Sequence, residues 1–173
     1  MDKVLPGLLM LSLAVVVFAL LAVGWRGRLR RQADIDPLPV VPAGLGAPLA
    51  AADGQYVAST TAGDWLDRIA VHNLGIRTDA ELRVHPEGVL FERSGAGPVF
   101  IPAGRLTGVR QDSGMAGKFV EKDGLLVLSW MLGARELDSG FRTRRAQDKA
   151  PLFQALQELI SAAPQANAAD SGK

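Results

Sequence analysis

The pattern of polar and apolar positions divides this chain sharply near its beginning. From Val4 to Trp25, 22 consecutive residues carry no charge. As a helix such a run spans about 33 Å, enough to cross about 30 Å of hydrocarbon. A helix also satisfies its own backbone hydrogen bonds where no water is present to do so. Pro6 falls in the first turn, where its missing N–H costs little. A cleaved signal peptide calls for a basic lead, a short apolar core and a small-x-small cleavage pattern. Here the run is long and ends in Gly24-Trp25-Arg26-Gly27-Arg28, so residues 1–31 predict a transmembrane anchor with a basic flank.

The pattern then changes character twice. Residues 32–53 hold Pro37, Pro39, Pro42 and Pro48 among Ala and Gly without a sustained period, which predicts an extended, semi-rigid spacer. From about 54 to 163 the spacing is that of short strands. Gln55–Thr60 carries β-branched and aromatic residues, and Ala80, Leu82 and Val84 alternate with Glu81, Arg83 and His85. His85-Pro86-Glu87-Gly88 supplies a turn into Val89–Arg93. Pro98–Ile101 and Arg105–Arg110 follow as strands, and Lys122-Asp123-Gly124 favours a tight hairpin before Leu125–Leu132. That run is apolar enough for a strand buried on both faces, and Arg135–Arg142 pairs back on it. Asp64–His72 fits a helix or a strand. One amphipathic helix, Ala146–Ala162, closes the domain, with Leu152, Phe153, Leu156, Leu159 and Ile160 on one face. Its regular part is expected to begin near Ala150, with Pro151 in the first turn. Residues 164–173 are rich in Ala, Asn and Ser and predict a disordered tail.

About seven antiparallel strands in two sheets, capped at an open end by one C-terminal helix, is a pleckstrin-homology-like arrangement. The chain resembles a family of small actinobacterial single-pass membrane proteins that carry such a domain and are loosely called transporters or export proteins. The resemblance rests on the anchor, on Tyr56-Val57-Ala58-Ser59-Thr60, on Asp64-Trp65-Leu66-Asp67-Arg68-Ile69 and on His72-Asn73-Leu74-Gly75. It continues through Val99–Ala103, Leu106–Arg110, Gly114–Lys118 and Leu137–Arg142, about two thirds of the chain. It implies the fold and carries over no catalytic residue.

Charge fixes the orientation. Asp2 and Lys3 precede the apolar run, while Arg26, Arg28, Arg30 and Arg31 follow it. The positive-inside rule then puts the N-terminus outside and the domain in the cytoplasm at the plasma membrane, with Trp25 at the interface. Residues 4–25 would contact the bilayer.

The candidate chemistry is sparse. The chain has no cysteine and only two histidines, His72 and His85, at no metal-ligand spacing. His85 falls in a predicted turn, as a solvated or structural histidine. Gly114-Met115-Ala116-Gly117-Lys118 resembles part of a phosphate-binding loop. The full motif needs Gly where Asp112 stands and Ser or Thr where Phe119 stands, so this is a glycine-rich contact loop. The domain carries 13 Lys and Arg against 13 Asp and Glu between 54 and 163, which gives no general field for nucleic acid. Its densest basic group is Arg142, Arg144, Arg145 and Lys149.

These features predict a non-enzymatic adaptor without metal or cofactor. It would bind a protein through Gly114, Gly117 and Lys118 and the exposed edge near the first strand. Two alternatives stand beside it. Arg142, Arg144, Arg145 and Lys149 could read anionic lipid headgroups, or the chain could be an accessory subunit of a transporter or enzyme complex.

Overall fold

The computed structural model describes residues 4–32, 34–115, 118–119 and 124–163, in two compact units, Met1–Asp34 and Ile35–Lys173. The first unit is helix α1, Val4–Arg31. Its segment Pro6–Gly24 is long and apolar enough to cross a membrane. Leu9, Phe18 and Leu21 on it are more than 60% exposed, a surface that costs about 25 cal/mol per Å² in water. Arg26 is exposed. The side chains of Trp25, Arg28, Arg30 and Arg31 lie outside the described residues.

The second unit is mainly antiparallel sheet. Its strands are β1 (Ala50–Thr61), β2 (Asp64–Arg68), β3 (Thr78–His85), β4 (Gly88–Arg93), β5 (Val99–Pro102), β6 (Leu106–Asp112), β7 (Gly114–Met115), β8 (Lys118–Phe119), β9 (Leu125–Leu132) and β10 (Arg135–Thr143). Helix α2, Lys149–Ala162, follows a 3₁₀ turn at Ala146–Asp148. Seven strands form one ladder in the order β5-β4-β3-β1-β10-β9-β6, with β2 paired to β1 and β7 to β8. The two expected sheets are thus continuous through β1, whose residues Gly54–Tyr56 pair with β3 on one side and β10 on the other. A bulge between Tyr56 and Ala58 lets β1 turn there.

The ladder folds over on itself. Strands β4 and β10 are three places apart, about 14 Å in a flat sheet, yet the Phe91 and Phe141 rings lie 6.1 Å apart. Between them lies one core of residues from both halves, including Tyr56, Leu82, Ile101, Leu128 and Trp130. Helix α2 adds Leu152, Leu156 and Leu159, with Phe153 and Ile160 at the margin, the face expected from their spacing. Strand β9 is buried on both sides, as its apolar run predicts. Leu126 and Leu128 face the main core, while Leu125 and Val127 join Val57 and Met115 in a second cluster.

Some local expectations change. Strand β1 begins at Ala50, inside the stretch read as a spacer, because residues of little intrinsic β preference pair in register with β3, Ala50 against Val84. The stretch before it also packs on the domain. Ile35 is buried in the core, Leu38 lies against it, and the Leu49 amide donates to the Val84 carbonyl at 2.7 Å. Asp36 fills the space beside Gly133, whose φ of 61° makes the β9–β10 turn. Asp64–His72 resolves as strand β2, followed by a 3₁₀ turn at Val71–Asn73. His85 ends β3 and is buried, not solvated; neither ring nitrogen has a hydrogen-bond partner among the described residues. His72 is exposed. Lys122, Asp123 and the tail 164–173 lie outside the described residues.

The buried Ile35 generates a prediction. Ile35→Ala should lower stability to chemical denaturation by about 2 kcal/mol. A free spacer would leave the unfolding midpoint unmoved.

Candidate functional site

Two hollows in the second unit gather side chains able to hold a ligand. The first lies beside the β1–β2 hairpin, encloses about 280 Å³, and is lined by Gly63, Trp65, Arg110, Asp112, Ser113, Gly114 and Asp138. Its floor is set by strand register. Thr60 faces Asp138 across β1–β10, and Asp138 faces Ser129 across β10–β9. Arg110 on β6 reaches the same row. Its Nη1 and Nη2 donate to the two Asp138 carboxylate oxygens at 3.1 and 2.8 Å, and Nη1 donates to Ser129 Oγ at 3.1 Å. Ser129 Oγ donates to Asp138 at 2.6 Å.

Burial opposes ionisation of Asp138. The hydrogen bonds from Arg110 and Ser129, the guanidinium charge and the Gly63 amide outweigh it and hold the carboxyl below its ordinary value. The same pair raises Arg110. Asp112 adds a second carboxylate 3.7 Å from Arg110 Nε, so among the described residues the hollow carries two negative charges against one positive.

Trp65 forms its wall and is 45% exposed. The hairpin that presents it is braced. Asp64 Oδ1 accepts from the amides of Leu66 and Asp67 at 3.1 and 3.2 Å, and Thr61 Oγ1 donates to Asp67 at 2.7 Å. Leu66 beside it is 61% exposed.

The second hollow, about 470 Å³, is lined by Gly54, Gln55, Asp79, Gly124, Arg142, Thr143, Arg144, Ala146 and Lys149. Arg142 and Arg144 are two apart on the β10 strand and its extension, where the Arg144 amide donates to the Asp53 carbonyl at 2.8 Å. Lys149 opens helix α2. Among the described residues lining this hollow are three cations and one carboxylate, Asp79, which lies 3.8 Å from Arg144.

The structure therefore sorts the residues named from sequence. Arg142, Arg144 and Lys149 come together. Arg145 does not line the hollow; its Nε donates to Asp148 at 2.8 Å. Gly114 lines the other hollow, with Trp65. Gly117 lies outside the described residues, as does the side chain of Lys118. Sequence reasoning passed over Trp65, Arg110 and Asp138. The available signal was an aromatic–aliphatic pair between two aspartates in a short exposed segment. Arg110 and Asp138 are 28 residues apart, and only strand register joins them.

The match to a family model agrees with the fold. The family described as Bacterial PH domain-like matches residues 35–157. No curated protein matches the sequence. A structure of Vav1 inhibited by an allosteric inhibitor is 20% identical with a TM-score of 0.41, covering 79% of this chain and 32% of that one. The chain thus spans about a third of the Vav1 chain it matches. The C-terminal domain of an unknown protein from Leishmania infantum is 12% identical with a TM-score of 0.37, covering 82% of this chain and 95% of that one.

The Asp138 network has a pH signature. A depressed folded pKa gives stability that is complete above the ordinary carboxylate value near 4 and is lost as the pH falls through the lower folded value. Asp138→Asn should cost about 1–2 kcal/mol at neutral pH, because its charge-assisted hydrogen bonds are weakened while the half-exposed Arg110 keeps Asp112 and water as partners. Its unfolding free energy should also fall less steeply than wild type below about pH 4. Denaturant titrations at pH 7 and pH 3 check both.

Proposed function

The chain belongs to the bacterial PH domain-like family, and from that premise we propose that it is a membrane-tethered, non-enzymatic adaptor. Its domain binds a protein partner at the inner face of the plasma membrane. The observation that carries this reading is Trp65, a half-exposed indole on a braced hairpin beside a hollow with hydrogen-bonding groups at its base. Aromatic anchors next to pockets dominate the energetics of protein interfaces. A rigid hairpin also loses little conformational freedom when it binds. Gly114, expected to make contacts, lines the same hollow.

Helix α1 supplies the tether, crossing the bilayer with its arginine flank on the cytoplasmic side. Three residues, 32–34, separate that helix from the domain unit, so the tether is short. Confinement near a membrane raises the effective concentration of a partner's site without adding a contact.

A second reading rests on the basic hollow. Arg142, Arg144 and Lys149 offer an anionic lipid headgroup charge-assisted hydrogen bonds on a concave surface. As an accessory subunit of a transporter or enzyme complex, the chain would use the Trp65 surface toward a membrane partner in constant ratio.

Proximity labelling by a ligase fused after Lys173 in the full chain tests the first reading. Wild type should enrich cytosolic-side proteins, and Trp65→Ala should reduce labelling of the true partner by about tenfold or more. Unchanged labelling in Trp65→Ala would overturn the docking surface, and labelling confined to external proteins would overturn the orientation. For the second reading, inositol trisphosphate is titrated into the full chain in detergent micelles. Arg144→Glu with Lys149→Glu should weaken binding by at least about tenfold, while Arg145→Glu leaves it unchanged. No heat of binding in wild type would sink that reading.

A further inference from the structure

The adaptor reading leaves open the chemistry of the partner segment, and the charges around Trp65 narrow it. Within the hollow, Arg110 is already engaged by Asp138 and Asp112, so among the described residues no cation lining it remains uncompensated for an incoming anion. On the hairpin itself Asp64 and Asp67 flank Trp65 and Leu66, with Arg68 as the following residue. Adding these, the described acids Asp64, Asp67, Asp112 and Asp138 stand against Arg68 and Arg110, an excess of two negative charges. An indole face beside carboxylates favours a cation, which gains from the ring quadrupole and the field together.

A second observation concerns the register row to which the hollow's Asp138 belongs. Thr60 faces Asp138 in register and is 1% exposed. Its hydroxyl oxygen has no hydrogen-bond partner among the described residues. Buried hydroxyls are seldom left so. Thr60 therefore adds an unsatisfied buried hydroxyl to the row of Asp138 and Ser129, beside the hollow that Asp138 lines.

Resting on the adaptor reading, we propose that the Trp65 hollow receives a lysine or arginine side chain from an extended basic segment of the partner protein. The cationic head lies between the indole and the carboxylates of Asp112 and Asp64, and its aliphatic stem covers Leu66. The same charges oppose a membrane surface as occupant, since anionic lipid would meet Asp64 and Asp67 first.

A random dodecamer library displayed on phage, selected on the immobilised full chain in detergent micelles, tests this. Sequences that bind wild type but not Trp65→Ala should be enriched severalfold in Lys and Arg. Asp64→Asn with Asp112→Asn keeps the side-chain oxygens that accept from the amides of Leu66, Asp67 and Ser113. That variant should bind the selected peptides about tenfold more weakly, about 1.4 kcal/mol. Trp65-dependent binders that are neutral or acidic would overturn the inference and leave the adaptor reading standing. Absence of any Trp65-dependent binder would overturn both. A photoreactive amino acid at position 66 of the full chain in native membranes gives an independent measure. Cross-linking to a basic protein segment agrees with the proposal; cross-linking to lipid or to a second copy of the chain overturns it.

Discussion

The hydroxyl of Tyr56 is buried where β1 passes from one half of the sheet to the other, and it must find partners there. An unpaired buried hydroxyl costs about 1–3 kcal/mol. Tyr56 donates to the Leu74 carbonyl at 3.0 Å and shares a hydrogen bond with Ser59 at 2.7 Å. Ser59 continues to Ser139 at 2.5 Å, and Trp130 Nε1 donates to Ser139 at 2.9 Å. The Arg93 guanidinium lies 4.9 Å over the tyrosine ring. Burial pushes the Tyr56 hydroxyl up to about 12, against the lowering effect of its partners. The chain of contacts crosses β4, β1, β10 and β9, so the fold of the sheet and the pairing of these groups stand together.

The same requirement holds the hairpin that presents Trp65. Leu74 gives its carbonyl both to Tyr56 and to the Ser59 amide, and the Ile69 amide returns to Ser59. Arg93 donates to the carbonyls of Asn73 and Gly97 at 2.7 and 2.8 Å. His72 and Asn73 adopt left-handed backbone conformations, with φ of 55° and 57°, which residues with side chains hold only where surrounding contacts impose it. The segment after β2 is thus pinned to the core. A flexible hairpin would pay ordering entropy on binding; this one has already paid it.

One strand separates two hollows of opposite charge. The basic one meets β1 at Gly54 and Gln55, before the bulge, and the acidic one lies beyond its far end, at Gly63 of the β1–β2 turn. The near balance of charge over the domain therefore conceals two local fields, and recognition depends on those fields rather than on their sum.

The sequence alone determined whatever is set by local composition: the uncharged run of 22 residues, the helical face of Leu152, Leu156 and Leu159, the doubly apolar β9 and the order of strands and terminal helix. Each depends on spacing along one element, and spacing is visible in one dimension. Tertiary structure decided the rest. Ala50–Asp53 became strand because β3 offered partners, and Ile35 and Leu38 joined the core because an apolar surface stood within their reach. Asp138 met Arg110 across the β10–β9–β6 register, whereas Arg145 was taken from its basic neighbours by Asp148. These outcomes depend on which groups meet across the fold after the chain returns on itself, and no periodicity along the sequence records those meetings.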